Sequence, residues 1–433
     1  MVNNPKTALW EITHNCNFAC AHCLVNASGR GGSSTELTLA ACARFFREFK
    51  SVGVGSVCLS GGEPLICEDL VDLMNLGRTI APFEYCIATN GYCVTDDLVA
   101  RMKEAGLTYM QISIDGSTPE EFAVIRKAPA DAFERCWEAV KICHRQGMPV
   151  SIGMFLHPCN IQSVPRMVQL VAESGVRVMR FSGIVPIGRA GKAAFLQSMN
   201  YSISQLVDFF SYIDSYDSDK TGVALSFDHG FGPVERQFKC VAGVESFYVS
   251  YDGSVYACPS LIMPEFLCGN LYKDSLQDMM RHPHMLKSHV PAHKITGRCA
   301  SCSYVKHCRG GCRGIAYAAS GGDLYAECPN CFLDFYWKAL RAYPERFAQK
   351  ESTAEDRAKE TNEQRKVPQT AAEDKKTNFT EDTGARQPKT AGNVASKLGE
   401  QGVSERVRPQ KVKELPAFVK MVRANAKQRR RRK

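Results

Sequence analysis

Short apolar runs alternate with amphipathic stretches from residue 8 to about 185. The runs occupy 8–13, 56–60, 84–89, 109–114, 150–156 and 177–183, each short enough for a strand. Between them, 39–49, 70–80, 96–105, 133–146 and 164–174 place apolar residues three and four apart, the period of a helix with one buried face. Strand–helix alternation at this spacing predicts parallel βαβ units and an α/β fold. In such folds the chemistry sits at the C-terminal ends of the strands. The residues that follow each run are therefore where functional groups are sought.

Beyond 185 the pattern changes. A bridge over 186–239 contains one amphipathic helix near 203–213 and a Gly- and Pro-containing stretch at 230–233. A cysteine-dense segment runs from 240 to 331, followed by a helix to about 348. Residues 349–433 differ in kind. From 351 onward there is no Trp or Tyr, and Lys, Glu, Gln, Thr and Ala prevail. Such a segment buries too little apolar area to offset chain entropy, so it reads as disordered, with 415–421 able to form a short helix on binding.

Charge follows the same boundary. The net charge is +9, and 351–433 carry all of it, with 21 Lys and Arg against 12 Asp and Glu. Residues 1–350 are balanced, so the folded part has no general signature of nucleic-acid binding, and a nucleic acid is not an expected partner. The chain has 20 cysteines but no signal-peptide pattern at its N-terminus. No apolar stretch reaches the ~20 residues that span a bilayer. A reducing, cytoplasmic setting without a membrane is expected, with cysteines that serve metal.

The first strand leads directly into Cys16-Asn-Phe-Ala-Cys20-Ala-His-Cys23. A four-iron cluster needs a ligand on each iron, and three thiols from one loop leave the fourth iron open for chemistry. Three buried reduced thiols or a zinc site use similar spacings. Gly61-Gly62-Glu63-Pro64 follows the second strand. Its glycines allow close backbone approach to a ligand, and Glu63 can accept hydrogen bonds from an ammonium group, although the same residues make an ordinary turn. Thr89-Asn90-Gly91 and Ser113-Ile-Asp115-Gly116 occupy the equivalent places after strands three and four. Arg126 offers a bidentate fork for a carboxylate, or is a solvated helix residue.

Together these motifs resemble the radical S-adenosylmethionine (SAM) enzymes. The resemblance implies a partial (β/α)6 TIM-like barrel over 1–185, with Cys16, Cys20 and Cys23 on the catalytic 4Fe-4S cluster. It further implies SAM binding by Gly61, Gly62, Glu63, Pro64, Asn90, Ser113, Asp115 and Arg126. One-electron cleavage of SAM would then yield a 5′-deoxyadenosyl radical. Val185-Pro-Ile-Gly188-Arg189-Ala190 resembles a loop near the adenine in many members.

The later cysteines run Cys240-x12-Gly253-x4-Cys258, then Cys299-x2-Cys302-x5-Cys308-x3-Cys312, then Cys328. This order resembles the SPASM module, an iron–sulfur appendage here placed over 240–348, although a zinc ribbon also uses such spacing. The resemblance implies two auxiliary clusters and hence three 4Fe-4S clusters in all. Cys299, Cys302, Cys308 and Cys328 would hold the outer one, and Cys240, Cys258 and Cys312 the inner one, which is left a ligand short. Cys268 is a candidate for that place, an open iron is the alternative, and Cys331 is a spare beside Cys328. The remaining eight cysteines read as small buried hydrophobes.

Within this superfamily the chain resembles the mycofactocin radical SAM maturases most, through Leu9-Trp-Glu-Ile-Thr13, Ser28-Gly29-Arg30, Gln111–Gly116, Val255–Pro259 and Cys308-Arg-Gly-Gly-Cys312. That implies an oxidoreductase that matures a ribosomally synthesised precursor peptide (a RiPP), by decarboxylation or carbon–carbon bond formation. It also implies a reductant such as flavodoxin or ferredoxin. Only fifteen residues precede Cys16, so a separate leader-peptide-binding protein is expected. Enzymes that modify haem-precursor side chains share the architecture and are the alternative. Sulfatase maturases carry an acidic residue where this chain has Pro259. A non-catalytic iron–sulfur electron-transfer protein would not need the SAM motifs.

Overall fold

One sheet of ten strands organises the molecule: β1 Thr7–Thr13, β2 Ser56–Gly61, β3 Glu84–Thr89, β4 Leu107–Ser113, β5 Val150–Phe155, β6 Val178–Ser182, β7 Ala224–Phe227, β8 Ser246–Val249, β9 Ser254–Tyr256 and β10 Gly269–Asn270. The computed structural model describes residues 6–27, 29, 37–228 and 240–348. Strands β1 to β7 lie side by side in chain order, all parallel. β8 joins the free side of β1, also parallel, and β9 and β10 extend that edge antiparallel. The crossover helices are α1 Leu39–Ser51, α2 Leu70–Ile80, α3 Asp96–Glu104, α4 Pro119–Arg126, α5 Ala132–Arg145 and α6 Val164–Glu173. The described elements up to Pro344 belong to one compact unit, whereas Glu345–Ala348, a single helical turn, belong to another.

The six expected strands appear within two residues of their predicted bounds. Alternation explains why. Val57 and Leu59 on β2, Met110 and Ile112 on β4, and Ile152 and Met154 on β5 are buried. Their alternates Cys58, Ser60, Gln111, Ser113, Gly153 and Phe155 line a central cavity. Trp10 of β1 is fully buried among Phe45, Phe46 and Phe49 of α1, with ring centroids 5.4–5.6 Å away. Burying such rings contributes roughly 1.5–3 kcal/mol each.

Three features go beyond the sequence-based expectation. A seventh parallel strand, β7, arises inside the bridging region, and β8 from the cysteine-rich part pairs with β1, so the sheet crosses from one region into the other. α4 was hidden between two longer helices. Thr118 caps it by accepting from Glu121 N, Pro119 starts it, and Lys127 ends it with a left-handed backbone. Of the eight cysteines expected to be buried, Cys42, Cys136 and Cys143 are, Cys58, Cys67, Cys86 and Cys93 are half-buried, and Cys159 is exposed. The basic tail and the stretch 230–233 lie outside the described residues. Among the described residues, no helix is long and apolar enough to cross a membrane.

Candidate functional site

The loop after β1 carries Cys16, Cys20 and Cys23 and is held at several points by backbone hydrogen bonds. Gly62 N donates to Thr13 O at 2.8 Å and Glu63 N to Asn15 O at 2.9 Å. Ala21 N donates to Ile125 O at 2.8 Å, which satisfies a carbonyl that α4 leaves unpaired at its end. Arg189 N donates to Cys23 O at 2.9 Å, and Arg189 Nε to Cys20 O at 2.7 Å. The turns that grip the loop need glycine. A Cβ at Gly62 would sit 2.0 Å from Asn15 O, and one at Gly188 would sit 2.3 Å from Leu24 O. The close approach made by the Gly61–Gly62 turn is thus to the chain's own backbone.

The three thiols, Gly61, Gly62, Glu63, Asn90, Ser113, Asp115 and Arg126 all line one cavity of about 1560 Å³, counting open space at its mouth. Pro64 is not among its lining residues. It is buried as the first residue of a helical turn that Glu63 caps.

Glu63 is 1% exposed, and its carboxylate is engaged within the protein. Oε1 accepts from Leu65 N at 3.0 Å and from the Thr89 hydroxyl at 2.5 Å, while Oε2 accepts from Asn90 N at 2.7 Å. Burial pushes its carboxyl above the usual range, and these donors oppose the shift. Glu63 therefore ties the β2 turn to the end of β3. Asn90 ties that end to the cysteine loop, donating from Nδ2 to Asn17 Oδ1 at 2.8 Å.

Asp115 and Arg126 are both buried and face each other at 2.5 Å. Asp115 Oδ1 also accepts from Phe155 N at 2.6 Å. Arg126 Nη1 lies 3.7 Å from Cys20 Sγ, so Arg126 is no solvated helix residue. Burial pushes the Cys20 thiol up while the guanidinium pulls it down, and burial pushes Cys16 up to about 12. His22 is buried, stacks on Phe155 at 4.5 Å, and is lowered to about 4 chiefly by desolvation, so it is neutral near pH 7. Its Nδ1 has no hydrogen-bond partner among the described residues. Three thiols on one loop, beside a buried cation and an unpartnered imidazole nitrogen, fit a cluster with a polar ligand at its open face.

Two residues escaped the sequence reading. Glu11 of β1 is buried; Oε2 accepts from Tyr248 at 2.6 Å and Ser250 at 3.2 Å, and Oε1 meets His14 Nδ1 at 2.9 Å. Tyr248 also lines the cavity. A carboxylate inside an apolar strand was the available signal, since a buried charge needs partners.

The second cysteine group is more spread. Cys299, Cys302, Cys308, Cys328 and Cys331 line a separate cavity of about 430 Å³. Burial pushes the Cys258 and Cys312 thiols up. Cys268 is buried and lies 3.5 Å from Phe266 O. Among the described residues, no three His, Cys, Asp or Glu side chains close on a single point as one bound ion requires. Thiols around a four-iron cluster need not do so, because each ligates a different iron.

Two family models match the chain: the radical SAM superfamily over 10–171, and the iron–sulfur cluster-binding SPASM domain over 240–310. An AdoMet-dependent heme synthase of Methanosarcina barkeri is 28% identical over 349 residues, spanning 76% of this chain and 97% of that protein. The mycofactocin maturase MftC of Mycolicibacterium smegmatis is 26% identical over 334 residues, spanning 76% and 82%. Native anSMEcpe with bound AdoMet superposes with a TM-score of 0.61 at 18% identity, covering 78% of this chain and 98% of that one. Streptococcus suis SuiB bound to precursor peptide SuiA gives 0.58 at 16%, covering 76% of each chain. These structural likenesses show the fold.

Proposed function

We propose that this chain, a radical SAM protein with an appended SPASM domain, oxidatively modifies a ribosomally made precursor peptide. The observation that carries the reading is the charge balance of a wide, open cavity reaching from the Cys16–Cys20–Cys23 loop to Pro259 beside Cys258. Its carboxylates are already engaged: Glu63 by backbone and hydroxyl donors, Asp115 by Arg126, and Asp228 by Arg180. Arg126 is offset by Asp115, which leaves Arg189, held by a hydrogen bond to the neutral Cys20 carbonyl, as a cation on the wall uncompensated among the described residues. An extended, near-neutral peptide segment suits such a wall. A tetrapyrrole with several carboxylates would find few unspent cations there.

In this reading Cys16, Cys20 and Cys23 hold the catalytic cluster, and the Gly61–Gly62 backbone and Ser113 receive SAM. Arg126, set by Asp115, places positive charge beside Cys20. Bound at these places, the cofactors would supply a 5′-deoxyadenosyl radical and an acceptor for the electron an oxidised substrate leaves. The cavity walls orient the target C–H. The MftC relatives and the SuiB–SuiA complex support a peptide as substrate. A separate leader-binding protein and a flavodoxin or ferredoxin reductant belong to the same proposal.

The M. barkeri heme synthase, matched over nearly its whole length, favours a second reading, modification of a haem-precursor side chain. Anaerobic turnover with SAM and a reductant decides between them. Mass loss from a candidate peptide ending in Val-Tyr supports the first, and decarboxylation of a tetrapyrrole alone replaces it. If neither substrate raises 5′-deoxyadenosine production above background, the enzymatic readings both lose their support.

A further inference from the structure

We propose that Cys328 is the fourth ligand of the inner auxiliary cluster, with Cys240, Cys258 and Cys312, and that Cys331 completes the outer one with Cys299, Cys302 and Cys308. The assignment rests on the reading of the second module as an iron–sulfur housing. It departs from the partition implied by resemblance, which gave Cys328 to the outer cluster and left the inner one with three ligands.

Packing separates the two thiols. Cys328 is 2% exposed and sits in a small core with Ile315 and Ala316, against which Cys312 packs. Cys331 is the residue before the helix Phe332–Ala342 and lines the cavity that Cys299, Cys302 and Cys308 share. Cys328 borders that cavity too, so its burial in the core on which Cys312 packs decides its side.

The backbone around the pair is built to hold this division. Arg313, 3% exposed, donates from Nη1 to Leu324 O at 2.9 Å and Ala326 O at 2.8 Å, and from Nε to Gly311 O at 3.2 Å. One guanidinium thus fastens the segment that leads into Cys328 to the turn that ends in Cys312. Between the two cysteines, Asn330 donates to Ile184 O at 2.6 Å, pinning the intervening turn to the loop after β6. Cys312 and Cys331 each precede a helix, where first-turn N–H groups favour a thiolate. Cys268 lacks this setting. It starts no helix, and its sulfur lies 3.5 Å from Phe266 O.

The test uses the full chain, reconstituted anaerobically with iron and sulfide, with Cys16, Cys20 and Cys23 changed to Ala so that only auxiliary iron remains. Adding Cys299→Ala and Cys302→Ala leaves the inner cluster, and adding Cys240→Ala and Cys258→Ala leaves the outer one, about four irons each. Cys328→Ser is expected to change the electron paramagnetic resonance signal of the inner-only chain and not that of the outer-only chain; Cys331→Ser does the reverse. If Cys328→Ser perturbs only the outer-only chain, or if Cys268→Ser and not Cys328→Ser perturbs the inner-only chain, the assignment is overturned. A second measurement covers variants that fail to fold: anaerobic alkylation of wild-type protein before and after iron chelation. Protection that depends on iron is expected at Cys328 and Cys331, and at Cys268 protection that survives chelation. Iron-dependent protection of Cys268 but not Cys328 overturns the proposal while leaving the iron–sulfur reading intact. A wild-type chain that loads only about four irons overturns that reading itself.

Discussion

Arg126 and Asp115 face each other at 2.5 Å inside the protein, and the same guanidinium comes within 3.7 Å of the Cys20 sulfur. The pair couples the end of α4 to the cysteine loop. Removing one partner of a buried pair strands the other, at a cost of roughly 3–5 kcal/mol. Asp115→Asn and Arg126→Gln are each expected to lower the urea midpoint accordingly. Arg126→Gln should in addition lower the reduction potential of the catalytic cluster, because a positive charge near the thiolate favours the electron-rich state. Chemical denaturation and a redox titration check both. A loss below ~0.5 kcal/mol with an unchanged potential would show the pair to be incidental.

Gly62→Ala places a methyl group 2.0 Å from Asn15 O, so the cysteine loop must move. Overpacking of this kind costs typically 1–3 kcal/mol. Iron uptake at Cys16, Cys20 and Cys23 should fall with it. Gly55→Ala, where nothing lies within 4 Å, is the control and should be nearly neutral. Equal melting temperatures for the two variants would contradict this account of the turn.

Changing Cys16, Cys20 and Cys23 together to Ala should remove about four of about twelve irons and abolish 5′-deoxyadenosine formation. Iron assay and chromatography of the nucleoside suffice. Continued SAM cleavage by the triple variant would place the catalytic cluster elsewhere.

Cys299→Ala and Cys308→Ala should leave SAM cleavage detectable but stop net product. Both thiols line the second cavity, apart from the one that holds the SAM motifs. Full turnover by either variant would mean that oxidation of the substrate does not need the second module.

The basic tail yields a prediction from composition. Residues 351–433 carry the entire excess charge. A tail that only adds solubility leaves the kinetics unchanged by its loss, whereas one that tethers an acidic partner by charge acts over about 8 Å at physiological salt. Truncation after Ala348 should leave SAM cleavage intact on either reading, and a raised apparent KM at low salt that converges at high salt identifies the tether. Identical kinetics at both ionic strengths leave the tail as a solubilising segment.

Much of the fold was legible because it is periodic. The alternation along β2, β4 and β5 and the helical spacing in α2 and α5 are local signals, and each motif follows its strand directly. What stayed hidden depends on residues far apart in sequence. Glu63 reads as a ligand for an ammonium group, but its carboxylate meets Thr89 and Asn90, partners that only the β2–β3 pairing brings near. The glycines at 61 and 62 signal a close approach without saying to what. Arg126 on an eight-residue helix gives no periodic clue to Asp115 or Cys20. Cys328 and Cys331 look interchangeable in sequence, and only the fold shows Arg313 holding the segment before Cys328 and Asn330 pinning the turn between the two.

The parallel pairing of β8 with β1 has a consequence for how the chain can be divided. β1 would otherwise be an outer strand, with a row of open amide and carbonyl groups beside the buried Glu11. A polypeptide ending before β8 would present that row to other molecules, and unprotected edges of this kind template aggregation. Glu11 would also lose Tyr248 and Ser250 and stand as a buried carboxylate with fewer donors. The SPASM region is thus not a cassette that can be removed to leave a working radical enzyme behind. It seals the sheet on which the first cysteine loop is mounted, and a shortened chain is expected to be recovered as insoluble material.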